Sequence, residues 1–145
     1  MHRIQIATTD EEMLNCFDAM HELRQHLNRT EFVALINTMS KTGYLLAFVK
    51  DNDKVAAVTG YRYMQNLFDG KLIYVDDLST AQAYRKKGYA KLLLDFIFNE
   101  VKNNNCDQVH LDSGCGPHRY NAHRLYLNYG FNITSHHFAK LINKE

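Results

Sequence analysis

Proline occurs once in the 145 residues, at Pro117. With so little proline there is no Pro-rich linker, and we find no low-complexity tract and no internal repeat. Cysteine is also sparse. Cys16, Cys106 and Cys115 are odd in number and lack paired spacing, which excludes a disulfide framework. No apolar run approaches the ~18 residues of a membrane span. The start, Met1-His2-Arg3-Ile4-Gln5, has no apolar signal core. These absences read as a soluble, cytoplasmic protein of a reducing compartment, with no membrane partner. Excess charge of one sign is missing too: 17 basic and 16 acidic residues leave a net charge of +1. A dedicated nucleic-acid binder would be strongly basic, so no nucleic-acid partner is expected.

What is present is an ordinary globular composition, 46% apolar and 23% charged. The length fits one domain spanning residues 1–145. Charge is uneven along it. Residues 1–70 carry 7 basic and 9 acidic side chains, while 71–145 carry 10 and 7. Three of the latter ten, Arg85, Lys86 and Lys87, are consecutive, which favours a local anion site over a basic face.

Residues 3–8 alternate like a short strand. Thr9 with Glu12 forms a capping box before a helix to about Leu27. Thr30 is the expected cap of a second helix, which Gly43 ends. Tyr44–Lys50, Val55–Gln65 and Lys71–Thr80 read as an antiparallel meander, with Asp69-Gly70 as a hairpin turn. Helical spacing predicts a helix over Gly88–Asn104, a strand over Gln108–Asp112 and a helix over His118–Tyr129 closed by Gly130. A last strand is expected at Ile133–Leu141. The order β-α-α-β-β-β-α-β-α-β, with a parallel crossover over 71–112, predicts an α/β fold with a mixed central sheet flanked by helices.

The segment Leu78–Ala90 carries the most chemistry. A strand ends, a loop brings Arg85, Lys86 and Lys87, and Gly88 opens a helix whose next residues are Tyr89 and Ala90. A helix start offers unpaired N–H donors and a partial positive charge. Such an arrangement is a pyrophosphate cradle; a solvated basic turn is the plain alternative.

Arg85-Lys86-Lys87-Gly88-Tyr89-Ala90 resembles the Q/R-x-x-G-x-G/A signature of the GNAT superfamily of N-acetyltransferases. Ala122–Phe131, with Leu125, Tyr126, Gly130 and Phe131, resembles that superfamily's A-x-x-L-Y-x-x-x-G-F helix. The element order agrees, so the resemblance spans nearly the whole chain. It implies the GNAT-like fold, acetyl-coenzyme A as cofactor, and direct transfer of its acetyl group to a primary amine in a ternary complex. In this resemblance Arg85–Ala90 hold the pyrophosphate, and Leu78, Ser79 and Thr80 pair with the pantetheine arm. Tyr126 matches the tyrosine that protonates the departing thiolate.

A carboxylate on the Lys71–Thr80 strand serves as base in many members, so Asp76 and Asp77 are both candidates. Neighbours on a strand point to opposite faces, so only one is expected to face a given cleft. Asp112 lies near the same place, and a cluster of carboxylates would suit a cationic amine. Arg119 stands where many members have asparagine, which makes it a candidate contact for phosphate or a substrate carboxylate. Arg62, Asp112, Ser113 and His123 are candidate substrate contacts. Cys115, His118 and His123 give half of a zinc pattern, and no metal site is expected. The acceptor reading is a small-molecule amine. A protein amine and a non-catalytic acyl-coenzyme A-binding module are the alternatives, and a homodimer through sheet edges or the last strand stays open.

Overall fold

A computed structural model describes residues 2–144, which form two compact units divided between Leu111 and Asp112.

The first unit is built on a five-stranded sheet of order β1 (Ile4–Ile6), β2 (Leu45–Asp51), β3 (Lys54–Asn66), β4 (Gly70–Thr80) and β5 (Gln108–Leu111). The first four strands run antiparallel, and β5 lies parallel to β4. The parallel step follows from the crossover helix α4 (Tyr89–Asn103) between them. Before β2 stand α1 (Asp10–Asn15), α2 (Phe17–Leu23) and α3 (Arg29–Ser40).

The capping box forms as read, with Thr9 and Glu12 each accepting the other's backbone N–H. The single helix expected to Leu27 is instead two. At Cys16 the N–H turns back to the Met13 carbonyl three residues earlier, which tightens the coil and separates α1 from α2. The cap of α3 is Asn28 rather than Thr30; its side chain accepts from the Thr30 N–H.

Met13, Phe17, Met20, Phe32 and Ile36 pack with Tyr44, Leu46, Phe48 and Val58 on one face of the sheet. Tyr89, Leu93 and Ile97 of α4 cover the other, against Ala47, Val49, Ala57, Ile73 and Val75. Burying each large apolar side chain contributes roughly 1.5–3 kcal/mol.

Two irregularities shape β4. The strand outruns its neighbour: β5 pairs only with Leu72–Val75, leaving Asp76–Thr80 without a strand on that edge among the described residues. The strand also bulges. Gly60 opposes Asp77 and Tyr61 opposes Val75, so Asp76 is an extra residue with no partner on β3. A bulge resets the side-chain alternation.

In the second unit, a short turn at Pro117–Arg119 leads into α5 (Tyr120–Asn128). Gly130, at φ +91°, closes it. The Phe131 N–H reaches the Tyr126 carbonyl and the Gly130 N–H reaches that of Leu127, the Schellman arrangement. The strand expected at Ile133–Leu141 is absent; residues 131–144 carry no regular structure. Ile133, Phe138 and Leu141 are 84%, 92% and 97% exposed. An apolar pattern makes a strand only where the backbone finds a ladder, and this segment finds none among the described residues.

Candidate active site

The bulge gathers the two candidate bases. Because Asp76 is the extra residue, Asp76 and Asp77 emerge on the same face instead of opposite ones, correcting the expectation from alternation. Arg24 donates from Nε to Asp77 Oδ1 at 2.9 Å and from its terminal nitrogen to the Asp76 carbonyl at 2.8 Å. Tyr44 donates its hydroxyl to Asp77 Oδ2 at 2.7 Å. Arg62 Nε meets Asp76 Oδ2 at 2.7 Å, and its guanidinium lies 5.2 Å from the centre of the Tyr44 ring. Thr59 donates to the Asp77 carbonyl at 2.8 Å.

The two aspartates differ in what is left over. Both oxygens of Asp77 are engaged and its side chain is 11% exposed. Asp76 uses one oxygen and is 23% exposed. Burial, with Asp77 beside it, pushes the Tyr44 hydroxyl far above its ordinary value, so Tyr44 is a fixed donor. Each of these two carboxylates is matched by an arginine, Asp76 by Arg62 and Asp77 by Arg24.

Sequence reasoning missed Arg24 and Tyr44, which lie 53 and 33 residues from Asp77. One signal was available. Gly60 interrupts an otherwise β-branched and aromatic strand, and such a glycine marks a bulge or a close approach. A Cβ there would lie 1.8 Å from the Tyr44 hydroxyl oxygen and 2.6 Å from Asp77 Oδ2.

The candidate cofactor segment begins where β4 is unpartnered. Leu78 packs into the core on the α4 side. Ser79 turns its hydroxyl to the Ala19 carbonyl at 2.6 Å, tying β4 to α2. Only the backbone of Ser79 is left to meet a ligand. Gly88 caps α4 at φ +85°, and no side chain caps this helix. Its first N–H groups have no intrahelical acceptor, the chemistry a pyrophosphate requires.

The flanking side chains divide their roles. Arg85 reaches the Thr80 carbonyl and Glu22, each at 3.4 Å. Lys87 pairs with Asp51 at 3.6 Å. Lys86 is exposed, with φ +65°. Tyr89 is a core residue whose hydroxyl donates to Asp51 at 2.6 Å, and Ala90 is half-buried in the first turn. The segment fits a coenzyme A pyrophosphate through its backbone and its basic residues.

In the second unit Tyr126 is buried and packs edge-on to Phe131. Burial pushes its hydroxyl pKa up, and the neighbouring Arg119 side chain pulls the other way. The phenol thus keeps its proton beside a cation able to steady its anion. His123 donates from Nε2 to the Gly114 carbonyl at 2.7 Å, so it braces the Gly114–Gly116 loop. Asp112 lies 3.2 Å from His137. The Ser113 hydroxyl is buried and meets no partner among the described residues, a group a bound molecule would satisfy. Among the described residues no cluster of His, Cys, Asp or Glu is arranged to hold a metal ion, and no helix is long and apolar enough to cross a membrane.

Comparison with known proteins bears on the family and the fold. The Acetyltransferase (GNAT) family profile matches residues 8–131. An uncharacterized N-acetyltransferase of Bacillus subtilis strain 168, YhdJ, is 30% identical over 135 residues, covering 92% of this chain and 94% of its own. Three solved structures share the fold at lower identity. A GNAT family acetyltransferase of Staphylococcus aureus has a TM-score of 0.79 at 19% identity, over 97% of this chain and 98% of the other. Glucosamine-6-phosphate N-acetyltransferase of Arabidopsis thaliana has 0.73 at 17%, over 99% of each. A predicted acetyltransferase of Clostridium acetobutylicum, crystallised with acetyl-CoA, has 0.72 at 16%, over 97% and 96%. With the family profile spanning most of its length, the chain belongs to the GNAT family of acetyltransferases.

Proposed function

We propose that this acetyltransferase uses acetyl-coenzyme A to acetylate a small-molecule primary amine by direct attack, with no acyl-enzyme. The observation that carries the reading is the uncapped start of α4 at left-handed Gly88, following a β4 whose residues Asp76–Thr80 have an open edge. Bound acetyl-coenzyme A would supply the acetyl group as a reactive thioester.

The chain's residues do the rest. The N–H groups at the start of α4, with Arg85, Lys86 and Lys87 around them, hold the pyrophosphate. The open edge of β4 offers backbone donors and acceptors to an extended pantetheine arm. Asp76, whose Oδ1 is free of protein partners among the described residues, takes the proton from the attacking amine, directly or through one water. Asp77 holds the bulge through Arg24 and Tyr44. The Tyr126 hydroxyl gives its proton to the leaving sulfur, and Arg119 steadies the phenolate.

The test is isothermal titration with coenzyme A, then thiol release over a panel of amines. Wild-type binding that is saturable, and abolished in folded Gly88→Glu, supports the cradle. Tyr126→Phe should bind coenzyme A normally and lose roughly 10²-fold in kcat. Folded protein with no affinity for coenzyme A would overturn the reading.

A further inference from the structure

The side chains on the bulge point to the kind of amine accepted. Arg24, Arg62, Asp76 and Asp77 together carry no net charge, so this face does not select a plain cation. What it leaves free is directional. Arg62 spends only Nε on Asp76, and its two terminal nitrogens meet no acceptor among the described residues. Arg24 uses Nε and one terminal nitrogen, leaving the other. Both guanidiniums bond to Asp76, one at its carboxylate and one at its carbonyl, so both arginines with donors left over are bonded to the same residue, whose Oδ1 is unused among the described residues.

The arrangement is also rigid. Arg62 is braced by Asp76 and by the Tyr44 ring, and Tyr44 is itself buried and anchored on Asp77. A guanidinium with its terminal fork open and its plane fixed suits a carboxylate, which accepts two parallel hydrogen bonds.

We infer that the acceptor is a zwitterionic amino acid-type molecule. Its amine sits on Asp76 Oδ1, and its carboxylate sits on the terminal nitrogens of Arg62 with Arg24 beside them. This rests on the acetyl-transfer reading and narrows it: the same carboxylate that takes the proton of the amine stands next to the cations that hold the acid group. A lone ammonium would satisfy Asp76 and leave those donors to water. A lone carboxylic acid would have no nucleophile.

The experiment is thiol release from acetyl-coenzyme A over matched sets of three: an amino acid, its carboxamide, and the amine lacking the acid group. Wild-type enzyme should favour the acids over both neutral partners by roughly ten-fold or more in kcat/KM, mainly through KM. Arg62→Lys keeps the charge beside Asp76 and removes the fork. It should erase most of that preference, with the loss appearing as raised KM for the acids. Equal rates on acids, carboxamides and amines would overturn the inference and leave acetyl transfer standing, as would an Arg62→Lys enzyme that keeps the preference. No thiol release with any member, from protein that binds acetyl-coenzyme A, would overturn both. The wild-type preference needs no variant, so poor folding of Arg62→Lys would not remove the test.

Discussion

Gly60→Ala tests the bulge most directly. The change adds one methyl group, and Gly60 does not occupy the left-handed region, so the backbone itself accepts alanine. The penalty is steric. The new Cβ would lie 1.8 Å from the Tyr44 hydroxyl oxygen and 2.3 Å from the ring carbon bearing it, where ordinary contact begins near 3.4 Å. Tyr44 has to retreat well beyond an ångström, yet it is 2% exposed and packed against the α1–α3 core. Overpacking a core site of this kind costs about 1–3 kcal/mol. The retreat also breaks the 2.7 Å bond to Asp77, a hydrogen bond to a charged group worth about 1.5–3 kcal/mol. Together the loss is about 3–5 kcal/mol, a fall in Tm of roughly 8–15 °C at this chain length. Urea unfolding of Gly60→Ala, Tyr44→Phe and the double variant checks it. If the methyl acts through Tyr44, the double variant loses less than the two single losses combined, because the same hydrogen bond cannot be broken twice. A loss under ~1 kcal/mol for Gly60→Ala would refute the close approach.

Two further predictions separate the roles of the charged groups and the buried ones. Asp77→Asn should lower stability by about 1–2 kcal/mol, a figure discounted because Arg24 is 41% exposed. Asp76→Asn should leave stability within ~1 kcal/mol and lower kcat by roughly 10²-fold; denaturant curves beside thiol-release kinetics on both variants would show whether the effects divide this way. Alkaline stability should fall early. Burial pushes the Cys16 thiol from 9.0 up to about 12 and the Tyr61 hydroxyl from 10.0 up to about 12. Both groups stay protonated in the fold while the unfolded chain ionises at the ordinary values, so their stabilising contribution is whole below pH 9 and is lost progressively toward pH 12. Urea midpoints measured from pH 8 to pH 11 should decline above 9, and Cys16→Ala should blunt the first part of that decline. A flat profile would contradict the burial of these groups.

What was legible in the sequence and what was not divides along the range of the interactions. The capping box at Thr9 and Glu12, the turn at Asp69-Gly70, the helix opened by Gly88 and the helix closed by Gly130 are each decided within a few residues, and each reads correctly. The helix start proposed as the cradle is of this local kind, so the uncapped turn at Gly88 could be read from its own segment. The bulge is not. Whether Asp76 and Asp77 share a face depends on the register of β3 against β4, set by pairings across a 13-residue strand and invisible in Tyr74-Val75-Asp76-Asp77-Leu78 taken alone. The alternation rule is sound for a regular strand and fails here because one residue is added. That addition is what allows two adjacent carboxylates to take different partners on one face, Arg62 for one and Arg24 with Tyr44 for the other. The last strand failed for the opposite reason. Ile133, Phe138 and Leu141 supply an apolar pattern, but a strand is a relation between two backbones, and residues 131–144 have no ladder partner among the described residues. The same distinction applies to the site. A helix start announces an anion from within its own segment. The selectivity of an acceptor face arises only when distant arginines are brought to it and some of their donors are left over.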